Sequence, residues 1–186
     1  MSQAIPHNIA YTGTSTIVPN PHLKIEECGL PKMMAFRLFE PFIIHHLIEK
    51  KAANTMLSAK KLIKEEEDVV EEVIREILKN HPILLSHSAT LNRFSIQAFK
   101  AQLIDGKAIE VSPFIFAAYS MGQEEKSEMS VHIPLRQAAI DEAKSLMLAS
   151  KNILNPLNNT LILEPLQDMV LGLYYLTKER TATENE

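Results

Sequence analysis

With 186 residues, 46% of them apolar, the chain can enclose one compact core and is too short for a large multidomain enzyme. Its 19 basic and 23 acidic residues leave a formal net charge of -4, whereas an autonomous nucleic-acid binder concentrates a basic excess on one face, so weak or no free DNA or RNA binding is expected. A single cysteine, Cys28, excludes an internal disulfide, a zinc knuckle and a CxxC redox pair.

The first eight residues lack the basic stretch and apolar core of a secretory leader, and no apolar run approaches the ~20 residues that span a bilayer. The expectation is a cytoplasmic protein with no membrane partner. Along the chain, Tyr11 to Pro19 and then Leu23 to Glu27 are β-branched or alternating, which predicts two short strands. Gly29-Leu-Pro31 reads as a boundary, because Pro31 suits the first turn of a helix and the glycine before it frees the backbone.

Helical periodicity takes over from Lys32 to Asn80. Met34, Leu38 and Phe39 share a face, and Pro41 should end or kink that helix because it has no amide hydrogen to donate. Phe42, Ile43 and Leu47 then continue the apolar pattern. The clearest amphipathic helix covers about 66–79, where Val69, Val70, Val73, Ile74, Ile77 and Leu78 recur at three- and four-residue spacing. Glu71, Glu72, Arg75, Glu76 and Lys79 take its other face.

After His81-Pro82 the texture returns to strands at Ile83 to Leu85, Ala101 to Ile104 and Ala108 to Val111. Asp105-Gly106 between the last two predicts a hairpin, since a type I′ turn needs positive φ at both central residues. Further strands are expected at Pro113 to Tyr119 and Met129 to Ile133, with helices at Leu135 to Ser150 and Pro165 to Lys178. The polar tail from Thr181 should fray.

Several of these segments, taken together and in order, resemble the beta-prime subunit of bacterial RNA polymerase. They are Tyr11-Thr-Gly13 through Cys28-Gly-Leu-Pro-Lys32; His81-Pro-Ile-Leu-Leu85 with Thr90-Leu91 and Arg93; Ile96-Gln-Ala-Phe99 with Leu103-Ile-Asp-Gly-Lys-Ala-Ile109; and Val131-His-Ile-Pro-Leu135. Asn152-Ile-Leu-Asn-Pro156 and Gln167-Asp-Met-Val-Leu-Gly-Leu-Tyr-Tyr175 extend the likeness, so that it covers about residues 8–180. The resemblance implies an α+β fold built on a double-psi β-barrel. Barrel strands would fall within about 9–27 and 81–134, a helical insertion at 32–80, C-terminal helices at 135–178 and a frayed tail at 181–186.

Catalysis in that family depends on a loop N-A-D-F-D-G-D just before the Met-x-Val-His strand, whose three aspartates hold Mg²⁺ for nucleotidyl transfer. The corresponding stretch here is Ser120-Met-Gly-Gln-Glu-Glu-Lys-Ser-Glu128. Anchored on Met129-Ser-Val-His132, the likeness places Gln123, Glu125 and Ser127 where the aspartates belong. The expectation is a degenerate loop with no metal cofactor and no catalytic residue. Glu124, Glu125 and Glu128 are the candidates for a rebuilt cation site. The alternative is a solvated acidic turn, with Lys126 opposing a divalent ion and the longer glutamates suiting octahedral Mg²⁺ poorly.

Other substrate-facing positions have changed too. The family's L-L-N-R-A-P-T-L-H-R becomes Leu84-Leu-Ser-His-Ser-Ala-Thr-Leu-Asn-Arg93, so the arginine that faces the incoming nucleotide aligns with His87 and the motif proline with Ala89. Family arginines near the template align with Asn8 and Thr14. Neither replacement supplies arginine's fixed charge and forked donors. Arg93 is retained, either as a substrate contact or as a structural donor.

The remaining candidates read as structural. His45 and His46 point about 100° apart on a helix and cannot chelate one metal as an i, i+4 pair can. Cys28 reads as a small buried hydrophobe. Ser86, His87 and Ser88 lack the Gly-x-Ser-x-Gly elbow of a hydrolase, so loop polarity explains them better. The Glu65 to Glu67 and Glu71-Glu72 cluster reads as a solvated helix face partly balanced by Lys60, Lys61 and Lys64.

Three functions fit. The chain is a non-catalytic interaction protein that docks on RNA polymerase subunits or transcription factors; or one piece of a split largest subunit, active after assembly; or the product of a decaying gene copy that folds without a task.

Overall fold

The computed structural model describes residues 11–65, 68–87, 93–119, 128–154, 159–163, 165 and 167–178. Strands β1 (Thr12–Pro19), β2 (Glu27–Pro31), β3 (Ile83–His87), β4 (Ile96–Ile104), β5 (Ile109–Val111) and β6 (Glu128–His132) close into a barrel in the order β1-β5-β2-β4-β3-β6. The β1/β5 and β2/β4 pairs are parallel and the other neighbours antiparallel. Between β2 and β3 the chain inserts α1 (Lys32–Leu38), α2 (Glu40–Glu49), α3 (Met56–Glu65) and α4 (Asp68–Asn80). A short α5 (Ile115–Ala118) precedes β6, and α6 (Gln137–Glu142) and α7 (Gln167–Thr177) follow it. The fold is α+β, a closed barrel of the double-psi kind with helices inserted and appended, as the resemblance implied.

One apolar cluster joins the barrel interior to the inserted helices. Leu30, Ile83, Leu85, Phe99, Ile109 and Met129 are fully enclosed on the barrel side. Ile43, Leu47, Val70 and Ile74 meet them from α2 and α4. Each such side chain contributes about 1.5–3 kcal/mol relative to leaving it in water. The α4 face follows the predicted period except at Val69, which is exposed. Pro41 acts as expected: α1 stops at Leu38, and the proline sits in the first turn of α2, where its missing amide leaves no bond unmade.

Five sequence expectations need correction. Leu23 to Glu27 is not a strand before β2; the Leu23 amide bonds Asn20 O and the Glu27 amide bonds Lys24 O, so the segment turns. The strand is instead the Gly29-Leu-Pro31 stretch expected to be a boundary. Gly29 serves there through size: a Cβ would lie 3.0 Å from both Glu110 Cβ and Ile104 Cγ2, so β2 fits between its neighbours only without one.

The hairpin expected at Asp105-Gly106 is absent, because β2 lies between β4 and β5 and pairs with both. Gly106 accordingly has no positive φ. Lys32, just after β2, reaches across to Asp105 at 2.7 Å and to Glu71 of α4 at 2.8 Å. Pro113 to Tyr119 forms the turn of α5 and not a strand. Ile115, Ala118 and Tyr119 are buried at helical spacing, and the Tyr119 amide bonds Ile115 O. The helix expected over Leu135 to Ser150 breaks up: α6 runs into a π-helical turn, Ala143–Met147, and Leu148 then turns extended and bridges Ala98 of β4.

Candidate functional site at the barrel mouth

Strand β6 lies between β1 and β3, and its alternation sets what faces where. Met129 and Val131 are fully buried, Ser130 and His132 half-buried, and Glu128 is exposed. Register places Thr14 opposite Ser130 and Thr16 opposite Glu128 on the β1 side. On the β3 side, Ser86 lies opposite Ser130 and His87 opposite Met129. His87 and Glu128 thus share one end of the adjacent strands β3 and β6, with Thr16 beside Glu128 on β1 and Thr14 two residues further in. Arg93 opens the short 3-10 turn Arg93–Ser95 that leads into β4. Gln123, Glu124, Glu125 and Ser127 lie outside the described residues, as do Asn8, Ser88, Ala89 and Lys126.

Beside these positions a hydrogen-bonded relay crosses the three strands. His132 Nδ1 lies 3.0 Å from Thr12 Oγ1, and Nε2 lies 2.9 Å from Ser86 Oγ. A neutral imidazole suits this pair, donating at one nitrogen and accepting a hydroxyl at the other. Burial favours that neutral form and lowers the His132 pKa. Ser86 is therefore a strand residue with a defined partner, which corrects its reading as loop polarity. Sequence reasoning missed the relay. The signal available was the period-2 pattern of Met129-Ser-Val-His132, which puts the histidine on the serine side of the strand.

Behind the mouth, Tyr119 is fully buried and its hydroxyl donates to Leu85 O at 3.0 Å. Burial, reinforced by nearby Cys28, raises its phenol well above the ordinary value and keeps it a donor. Cys28 itself is enclosed, and burial pushes its thiol far up, away from thiolate chemistry. His45 and His46 have separate partners: His45 Nε2 is 3.2 Å from Glu49, and His46 Nδ1 donates to Phe42 O at 3.1 Å. In the acidic cluster, Glu71 pairs with Lys32 and Arg75 and Glu65 with Lys61, while Lys60 turns to Glu40.

Among the described residues no three His, Cys, Asp or Glu side chains converge, and Glu128 is the one described member of the three candidate carboxylates. On its face of the paired strands stand Thr16, Thr14 and Ser130, all hydroxyls, while His87 pairs with Met129 on the other face. One carboxylate beside hydroxyls is a poor cage for Mg²⁺, which takes clustered oxygen anions in strict octahedral geometry. Among the described residues no helix is long and apolar enough to cross a membrane.

The family model for RNA polymerase Rpb1, domain 2, matches residues 7–149. The DNA-directed RNA polymerase subunit beta' of Amoebophilus asiaticus is 51% identical over 175 residues, 94% of this chain and 12% of that protein. The beta' subunit of Flavobacterium johnsoniae is 50% identical over 177 residues, 95% of this chain and 12% of the relative. A shorter relative, the DNA-directed RNA polymerase subunit gamma of Synechococcus sp., is 48% identical over 172 residues, 92% of this chain and 27% of its own length. The chain thus spans about an eighth of the length of the beta' relatives it matches. A closed barrel of this topology and matches of this extent place the chain in the RNA polymerase Rpb1 domain 2 family, as a beta-prime-like segment.

Proposed function

We propose that this chain is a catalytically inactive beta-prime-like module that acts by binding transcription machinery, with RNA polymerase subunits or a transcription factor as its partner. One observation carries the reading: the barrel is packed and closed, while among the described residues Glu128 is the one carboxylate at the start of β6, beside Thr16 and His87. By the resemblance, Thr14 and His87 correspond to family arginines, and Gln123, Glu125 and Ser127 to its magnesium-binding aspartates. An amide and a hydroxyl in two of three ligand positions do not fit the metal, and no nucleotidyl-transfer step can be routed through this loop. The absence of the arginines removes the bidentate phosphate grip as well. The negative overall charge favours a protein partner over free nucleic acid.

Affinity capture with the full chain from native lysate tests this. Recovery of polymerase subunits or a transcription factor is the expected result; recovery of neither overturns it. One observation favours a second reading, a piece of a split largest subunit: the gamma relative contains the matching segment within a much shorter polypeptide. If a complex reconstituted with this chain as the sole source of the segment extends an RNA primer with Mg²⁺ or Mn²⁺, the second reading replaces the first. No extension leaves the inactive module in place.

A further inference from the structure

One face of β1, β6 and β3 carries chemistry that the docking reading leaves unused. Thr12, His132 and Leu84 stand side by side across the three strands, and Thr14, Ser130 and Ser86 form the next row on the same face. None of the six is fully buried, so a small molecule can reach them. The contacts within the face run in the order of an activated serine. Ser86 Oγ lies 2.9 Å from His132 Nε2, and His132 Nδ1 lies 3.0 Å from Thr12 Oγ1. A nucleophile within hydrogen-bond reach of a base, itself oriented by a third group, is what nucleophilic catalysis requires. At the Ser86 position the family's L-L-N-R motif has asparagine, which offers no hydroxyl to activate.

The base is His132, 46 residues away in sequence, and not the adjacent His87, which pairs with Met129 on the other face. Burial keeps the His132 ring neutral, so Nε2 can accept a proton near neutral pH. The facing residues on β1 and β3 are uncharged, and Glu128 is the titratable group that shares this face of β6.

We infer that Ser86 is the nucleophile of a slow hydrolysis of small uncharged carboxylic esters, with His132 as general base and Thr12 as the positioning residue that holds the ring. Ser86 Oγ bonds the carbonyl carbon while its proton passes to Nε2; the ester C–O bond then breaks, and the departing alkoxide takes that proton. Water repeats the sequence on the acyl-serine: it gives a proton to Nε2, its oxygen bonds the acyl carbon, and Oγ leaves with the proton as the carboxylic acid is released. Ser130 stands directly opposite Ser86, with Cβ atoms about 5 Å apart, so its hydroxyl can donate to the carbonyl oxygen as charge develops there. β3 and β6 are paired on both sides, which engages their amides and leaves this task to a side chain. Leu84, half-buried opposite His132, offers apolar contact to a short acyl chain. Threonine carries no charge to steady the imidazolium, so turnover is slower than with a buried aspartate. The reaction does not use the 120–128 loop and stands independently of the docking reading.

The test treats the full chain with p-nitrophenyl acetate and follows acetylation of individual serines by quenched peptide mass spectrometry. Ser58, whose hydroxyl donates to Thr55 O at 2.8 Å and not to an imidazole, is the internal standard. Ser86 should acetylate at least about 10²-fold faster than Ser58. That ratio should rise as pH passes upward through the His132 pKa, which lies below the ordinary 6.5. His132→Gln should remove the advantage. Thr12→Val should reduce it and move the pH midpoint down, because the imidazolium loses an acceptor, and Thr12→Ser should restore both. A smaller advantage, one that His132→Gln leaves intact, or an acetyl-Ser86 that water does not remove overturns the inference. Where His132→Gln fails to fold, a wild-type ratio that stays constant between about pH 5 and 8 overturns it instead.

Discussion

The packed body of this protein and its C-terminal helix are both rich in leucine and aromatic residues, yet they use them oppositely. Phe99 in β4 is fully enclosed, touched by a core that extends from the barrel wall to α2 and α4. Leu173 in α7, no less apolar, is 58% exposed. The difference is one of completeness. The barrel closes on itself, so each of β1–β6 is paired on both sides within the chain and its interior face is enclosed. α7 carries the same kind of surface and buries none of it among the described residues. Apolar residues therefore stabilise the body by enclosure, whereas those of α7 contribute little to it.

The sharpest way to break this contrast is truncation on each side of it. Phe99→Ala should destabilise the fold by about 3–5 kcal/mol, because it opens a cavity where the neighbours cannot collapse. Leu173→Ala should change stability by no more than about 0.5 kcal/mol. Urea unfolding followed by circular dichroism reads both. Similar losses for the two would mean that α7 is packed in solution, and the contrast would disappear. A smaller effect is expected at Gly29. Adding one methyl forces Glu110 or Ile104 to give way at 3.0 Å, so Gly29→Ala should cost about 1–3 kcal/mol through overpacking. A neutral Gly29→Ala would show that β2 is less tightly held between β4 and β5 than the barrel requires.

These elements also show what sequence can disclose. The α4 stripe and the Met129-Ser-Val-His132 alternation were legible because both report local periodicity, and each burial pattern is a function of one element's own geometry. Asp105-Gly106 misled because the hairpin signal is local, while strand β2, some 75 residues earlier in the chain, occupies the place of the expected partner. Gly29 misled for a related reason: its smallness answers contacts from two other strands, which no neighbour in sequence reveals. The turn Ile115–Ala118 is too short to establish a period. At the mouth, the candidate positions came from resemblance, and strand register then brought His87 and Glu128 to one end, with Thr14 opposite Ser130 in mid-strand. The His132 relay remained invisible because its two partners stand 120 and 46 residues away.

The smallest expected effect is a pH dependence that belongs to the body alone. α7 contains no histidine. His81, at the junction of α4 and β3, is 7% exposed, with its ring edge-on to Phe39 and Phe42 and its Nδ1 donating to Pro82 O at 3.2 Å. Burial lowers its pKa below the ordinary 6.5, and the Pro82 carbonyl offsets only part of that. The unfolded chain therefore takes up a proton at a pH where the folded chain still resists one. Stability from the neutral ring is present in full above about 6.5 and is lost as pH falls through the folded-state value, by at most about 1.4 kcal/mol per pH unit for this one group. His132, shifted in the same direction by burial, adds to the slope. Urea midpoints measured between pH 7.5 and 5 should fall with pH, and His81→Leu should flatten the curve without abolishing it, the remainder belonging to His132. A wild-type midpoint constant across that window would mean that neither ring is held neutral by the fold, and that the junction under α2 is open to water in a way that would bring the body closer to α7 than its packing implies.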